Sequence, residues 1–258
     1  MSNGRVHLSI ENNIAAILID RPEARNAMTW AMYEELGEIC SEIGGNPAIR
    51  AATIRGAGGE AFVAGTDIEQ FLSFKDGADG IAYEKTIDAL MARIEALPMP
   101  IVAIVEGWAI GGGLAIAAAC DFRIATPTAS FGVPIARTLG NCLSMANYAR
   151  VLAAFGPARA KKMLLLAETI GAQEAQECGF VLEIAEAAEL ADKAGALCAR
   201  LAKNAPVTMR ASKEAIRRLV NHDLPDGDDL VRLCYGSRDF RIGVEAFMQK
   251  QRPAWTGS

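Results

Sequence analysis

The chain has 258 residues, 51 % hydrophobic and 22 % charged, a globular composition long enough for one large domain or a main domain with an appendage. Its formal net charge of -5 supplies no general basic field, which argues against nucleic acid and means that a ligand phosphate must be met locally, by one or two Arg or Lys or by N–H groups at a helix start. Six dispersed cysteines without a C-x-x-C pair read as reduced thiols of a cytoplasmic protein, and His7 and His222, the two histidines, are too few for a His-rich metal site or a serine-type triad.

No basic stretch followed by an apolar run opens the sequence, so no signal peptide is expected. The longest uncharged window, residues 107–120, is too short and too Gly-rich to span a bilayer. In chain order, Val6, Leu8 and Ile10 alternate with polar neighbours, ENN supplies a turn, and IAAILID reads as a second strand, which makes a β-hairpin. After the loop RPEARNAM, Thr29 is placed to cap a helix whose apolar face carries Met32, Leu36, Ile39 and Ile43. AIRAATIRG is the next strand, and GAGGEAFVAGTDIEQF reads as a Gly-rich loop turning into a helix at about Thr66.

KDGADG, residues 75–80, reads as a polar loop, and 81–96 as a helix with Ile87, Leu90, Met91 and Ile94 on one side, ended by Pro98 and Pro100. IVAIVEG is a buried strand, three glycines lead into a helix to Cys120, and FRIATPTASFGVP gives two short strands. From LSMANYARVLAAF onward the pattern is helical, over 158–167, 172–178, 187–203, 208–221 and 227–250, with GFVLEIAE as a last short strand. The expected organisation is an α/β core over 1–195 and a C-terminal helical region over 196–258.

Two strand-to-helix turns, 56–67 and 107–113, are rich in glycine. A helix start leaves N–H groups without intrahelical partners, and glycine removes the side chain that would keep a ligand from them. Two such starts brought together make an oxyanion hole; close helix and strand packing is the other reason to place glycine there. The remaining glycine motifs fail on pattern. Ile116 occupies the last position of a G-x-G-x-x-G begun at Gly111, and neither G-K-[ST] nor G-x-S-x-G occurs.

FVAGTDIEQF, PMPIVAIVEGWAIGGGLAIAAACDFRIA, ASFGVP and GVEAFMQKQRPAW, with IDRPEARNAM near the start and LAETIGAQEAQECGFV after the core, resemble the crotonase, or enoyl-CoA hydratase/isomerase, superfamily over essentially the whole chain. The resemblance implies a ClpP/crotonase-like fold, a spiral of ββα units with a C-terminal helical trimerisation region, often stacked into hexamers. It implies acyl-CoA thioester substrates, with coenzyme A as part of the substrate and neither a separate cofactor nor a metal. The oxyanion hole carries over to the backbone N–H groups of Thr66 and Gly112. Such donors lower the barrier to a thioester enolate by about 3 to 4 kcal/mol each. The resemblance places Ala24, Arg25 and Asn26 beside the adenine and pantetheine path, and Ala64, Asp67 and Ile68 along the next stretch. Lys250, in the terminal helix, matches a position that reaches a CoA phosphate, in some members across a subunit boundary. Trp108 is placed near the mouth of the acyl site, with core packing as the alternative.

The family's hydratases activate water with two glutamates, whose positions here are Ala115 and Ile135. Neither exchanges a proton, and each such group contributes roughly 10²- to 10⁴-fold. A non-standard reaction is therefore expected: isomerisation, C–C or C–X cleavage, or hydration assisted by another group. Arg137 can pair with a second substrate carboxylate, Asn141 can orient a water or donate to a carbonyl, and Cys142 can act as nucleophile or acid, or simply pack. Tyr83 and Glu84 can supply a proton, although an exposed helix face explains both as well. Glu69 reads as solvated and Asp121 as a structural carboxylate. The alternative to an enzyme is a catalytically weak acyl-CoA-binding or scaffold subunit; RNA binding is disfavoured by the charge.

Overall fold

The computed structural model describes residues 4–257, an α/β architecture in which two sheets share the chain turn by turn. The opening hairpin is β1 (Arg5–Glu11) and β2 (Ile14–Asp20), paired antiparallel from Arg5↔Asp20 to Glu11↔Ile14. Helix α1 (Trp30–Gly44) follows, with Thr29 accepting from the Met32 N–H and with Met32, Leu36, Ile39 and Ile43 buried, as the spacing predicts.

Three passes then repeat one plan. Strand β3 (Ala51–Gly56) is followed by β4 (Ala61–Val63) and helix α2 (Gly77–Glu95). Strand β5 (Ile101–Val105) is followed by β6 (Trp108–Ile110) and α3 (Gly112–Ala119). Strand β7 (Phe122–Ala125) is followed by β8 (Ser130–Gly132), the short α4 (Ile135–Thr138) and α5 (Met145–Leu165).

The first strand of each pass joins one sheet and the second joins the other. With β9 (Thr169–Gly171) and β10 (Glu183–Ile184), the orders are β1-β2-β3-β5-β7-β10 and β4-β6-β8-β9. Pairing from β2 to β10 is parallel. A parallel strand covered on both faces needs apolar residues throughout, and all five residues of β5, IVAIV, are buried. This is the expected ββα spiral.

Three details differ from the sequence pattern. The loop at 75–80 is half helix: α2 begins at Gly77, because Asp76 and Asp79 form a capping box. The turn after β4 becomes a 3₁₀ helix, Ile68–Ser73, capped by Asp67, rather than an α-helix from Thr66. The expected helix 227–250 is two, α9 (Asp228–Tyr235) and α10 (Arg238–Met248), which follow α6 (Ala172–Glu177), α7 (Leu190–Ala202) and α8 (Pro206–Val220) in chain order. Gly236 ends α9, and Ser237 caps α10 by accepting from the Phe240 N–H. As the expected helix start at 158 implies, Gly156 adopts φ 72° before Pro157 and divides α5.

Helix α7, which spans residue 195, lays Leu190, Ala194, Leu197 and Leu201 on the six-stranded sheet against Ala51, Val102 and Ile124. Helix α8 has no buried residue, and its Val207, Ile216 and Leu219 stand exposed. No helix among the described residues is long and apolar enough to cross a membrane.

Candidate active site

The two glycine-rich turns abut. Met28 donates its N–H to Gly65 O and accepts from the Asp67 N–H, both at 2.9 Å, and Ala64 N–H donates to Arg25 O at 3.0 Å. In a parallel bridge of this kind the residue between the two bonded groups turns its own N–H the other way, so the Thr66 N–H faces away from Met28. On the other turn, Gly111 takes φ 54° and donates to Gly132 O, and Gly112 opens α3, so its N–H lies outside the helical ladder. A Cβ on Gly111 would lie 3.9 Å from Gly65 Cα, and one on Gly113 would strike the Val63 carbonyl. Both turns line one cleft of about 840 Å³.

At its mouth the cleft is lined by exposed groups, including Arg25, Glu60, Trp108, Phe247 and Met248. Arg25 pairs with Glu60 at 2.6 Å, and the more buried Arg21 pairs with Asp67 at 2.7 Å. Trp108 is 42 % exposed, so the core-packing alternative is overturned: β6 is an edge of the cleft and its first side chain faces outward. Farther in, the wall is Ile87, Ala115, Ile135, Leu139 and Leu143, interrupted by Tyr83, Glu84, Asn141 and Asn147. Neither Ala115 nor Ile135 brings an ionisable group to it.

Of the residues expected to touch ligand, Ala24, Arg25, Ala64, Thr66, Asp67, Ile68, Trp108, Gly112 and Asn141 line this cleft, whereas Asn26, Arg137 and Lys250 do not. Asn26 is fully buried; its Oδ1 accepts from the Arg21 N–H, and its Nδ2 donates to Ala57 O and Ala61 O, so its amide holds the loop rather than facing the cleft. Arg137 is exposed on α4 and is not among the residues that line the cleft. Lys250 lies beyond α10 rather than in it, exposed, with φ 54°.

Cys142 is buried, off the cleft, with its thiol pushed up by hydrogen bonding with Cys234 and by burial, the opposite of a nucleophile's environment. Asp121 accepts from the Ile101 N–H and pairs with Lys213, as a structural carboxylate should.

Sequence reasoning underrated α2. Glu84 is only 4 % exposed and belongs to the inner wall, not to a solvated face. Its Oε1 accepts from the Tyr235 hydroxyl at 2.7 Å and its Oε2 from the Ser144 N–H at 2.9 Å. Burial pushes its carboxyl up to about 7, against the lowering effect of the bonds from Tyr235, Ser144 and Asn147. Tyr83 hydrogen-bonds through its hydroxyl to Thr66 Oγ1 at 2.8 Å, and Tyr33 from α1 does the same at 2.8 Å. Burial raises both phenols. The spacing Gly77, Gly80, Ile81, Glu84, Ile87 is helical and marks this buried face; the two glycines disguise it as a loop. Asn141 donates to the Tyr235 oxygen at 3.0 Å, and its Oδ1 is buried without a partner. No group of three or more His, Cys, Asp or Glu among the described residues is arranged to hold a metal ion.

The family model for enoyl-CoA hydratase/isomerase matches residues 9–258. The chain belongs to the enoyl-CoA hydratase/isomerase family. Among the relatives of this family member, the short-chain-enoyl-CoA hydratase of Clostridium acetobutylicum is 31 % identical over 98 % of this chain and 97 % of its own. The (E)-benzylidenesuccinyl-CoA hydratase of Thauera aromatica is 32 % identical over 98 % of this chain and 99 % of its own. Among solved structures, a methylmalonyl-CoA decarboxylase in complex with 2-nitronate-propionyl-CoA superposes with a TM-score of 0.90 at 25 % identity, covering 98 % of each chain. The fold of this hydratase/isomerase family member is accordingly the crotonase fold.

Proposed function

We propose that the chain is an acyl-CoA enzyme that holds the thioester oxygen between the Thr66 and Gly112 N–H groups and forms an enolate by cleaving a bond at the α-carbon, with loss of carbon dioxide from an α-carboxyacyl-CoA as the favoured case. One observation carries this reading: the two turns abut on a single cleft whose wall at 115 and 135, the positions of the family's hydratase glutamates, is apolar.

Decarboxylation moves charge from a carboxylate onto the thioester oxygen. An apolar wall offers the starting carboxylate little stabilisation, while two backbone donors meet the charge where it arrives. The inner wall carries no Lys or Arg to hold the carboxylate back, since the cleft's Arg21 and Arg25 are both paired to acids of the mouth loops. The decarboxylase likeness supports the same choice. Self-association as a trimer or hexamer belongs to this reading, supported by the exposed apolar residues of α8.

The test is incubation in D₂O with crotonyl-CoA, saturated acyl-CoAs and methylmalonyl-CoA, followed by mass spectrometry. Carbon dioxide release with one deuterium at the α-carbon supports the reading. Hydration of crotonyl-CoA as the dominant activity, or binding with neither turnover nor exchange, overturns it.

A further inference from the structure

We infer that Glu84, presented by α2 and held by Tyr235 and Ser144, is the catalytic residue that exchanges a proton with the substrate α-carbon. The inference rests on the enolate reading above and adds to it the group that reading lacks.

Placement comes first. Tyr83, the residue before Glu84, bonds Thr66 Oγ1 at 2.8 Å, so α2 reaches the cleft directly beside the turn assigned to the thioester oxygen. Glu84 then lies on the wall into which an acyl group extends, with Ala115, Ile135 and Leu143. Among the described residues it is the one carboxyl that is both on this wall and nearly excluded from solvent. Asp67 is occupied by Arg21, and Asp88, which does not line the cleft, accepts from the Ser144 hydroxyl and pairs with Arg150.

Geometry is fixed from behind. Asn141 donates to the Tyr235 oxygen, which leaves the phenolic proton for Glu84 Oε1, while the Ser144 N–H occupies Oε2. Tyr235 is buried, and its ring fills the space a Cβ on Gly80 would need, one turn before Glu84. The carboxyl is thereby held by α9 and by the N-terminus of α5, two elements remote in sequence.

The step balances simply. In the exchange direction the Glu84 carboxylate forms an O–H bond as the α C–H bond breaks, and the electron pair moves onto the thioester oxygen. After carbon dioxide leaves, the reverse transfer occurs: the Glu84 O–H breaks, the α C–H forms, and water returns one proton to Glu84. Groups facing Glu84 are Tyr83 and Asp88 on its own helix, Tyr33 on α1, Cys142 before α5, Asn147 and Tyr148 on α5, and Tyr235 on α9, with Arg150 behind Asp88. Burial holds the carboxyl at about 7, and the Tyr235 bond works against that rise, so both protonation states are accessible near neutrality.

The experiment follows α-deuteration of propionyl-CoA in D₂O as a function of pD, beside carbon dioxide release from methylmalonyl-CoA. In the wild type, exchange is expected to rise with a midpoint near 7. Glu84→Gln, which keeps one acceptor and can still meet both partners, should lower exchange roughly 10²-fold or more. Tyr235→Phe, the positioning variant, should move the midpoint upward. Exchange in a folded Glu84→Gln equal to wild type, or a midpoint unmoved in Tyr235→Phe, overturns the role of Glu84 and leaves the acyl-CoA reading standing. A wild type that neither exchanges nor releases carbon dioxide overturns both.

Discussion

The Tyr33 hydroxyl lies 2.8 Å from Thr66 Oγ1, a buried contact between helix α1 and the first glycine-rich turn. Thr66 Oγ1 also meets the Tyr83 hydroxyl at 2.8 Å, so one threonine ties two helices to the turn. Thr66→Val keeps the shape and leaves two phenols short of a partner, at about 1–3 kcal/mol for each group left unsatisfied. Thermal unfolding is expected to shift down by roughly 2–4 °C per kcal/mol for a chain of this size. An unchanged melting temperature would mean the hydroxyl cluster contributes nothing to the fold.

Glu84 makes a second prediction, of stability against pH. Its folded carboxyl sits at about 7 against an ordinary 4.5, so the folded state binds the proton more tightly than the unfolded chain between those values. Stability is therefore expected to fall as pH rises through that window, by up to about 3 kcal/mol at full ionisation. Urea unfolding at pH 5 and pH 8 should show the decline in the wild type and a flatter profile in Glu84→Gln. A wild-type profile as flat as the variant's would place the carboxyl in contact with water.

Restoring the absent acids tests the account of the wall. The double variant Ala115→Glu with Ile135→Glu brings two carboxyls into the cleft and is expected to raise crotonyl-CoA hydration by roughly 10²-fold or more, as general acid and base catalysis allows. Circular dichroism would confirm that the variant folds. A folded double variant without gain in the hydration assay would show that more than these two carboxyls separates the cleft from a hydratase.

At Gly112 a Cβ would collide with the Tyr33 hydroxyl and approach Thr66 Oγ1 to 3.4 Å. Tyr33 is 4 % exposed and has little room to retreat. On the proposed function, Gly112→Ala displaces one of the two donors to the thioester oxygen and is expected to lower kcat roughly 10²-fold with a smaller change in KM. Steady-state kinetics on the substrate found in the D₂O assay checks the split; loss confined to KM would point to binding rather than to enolate stabilisation.

Much of this architecture was legible because it depends on local patterns. The hairpin shows in the alternation from Val6 to Ile10, β5 in an unbroken apolar run, and both turns in their glycines. What was hidden depends on distant partners. Glu84 looks solvated in a sequence window because nothing nearby says that Tyr235, 151 residues away, will cover it. Gly77 and Gly80 look like loop residues, yet they are small because α9 packs on them: a Cβ at either would strike Arg232 or Tyr235. Asn26 was read for its neighbourhood and not for its amide, which the loop consumes.

The close approach of Gly113 to the Val63 main chain, and the positive φ that Gly111 holds, have a consequence for how such a molecule can change. These positions admit almost no other residue, whereas 115 and 135 carry apolar side chains that line the cleft. On the proposed function, a lineage drifting at the second set changes the reaction and leaves the grip on the thioester alone. Inhibitors designed against the grip would therefore meet few escape routes, while those fitted to the acyl wall would meet many.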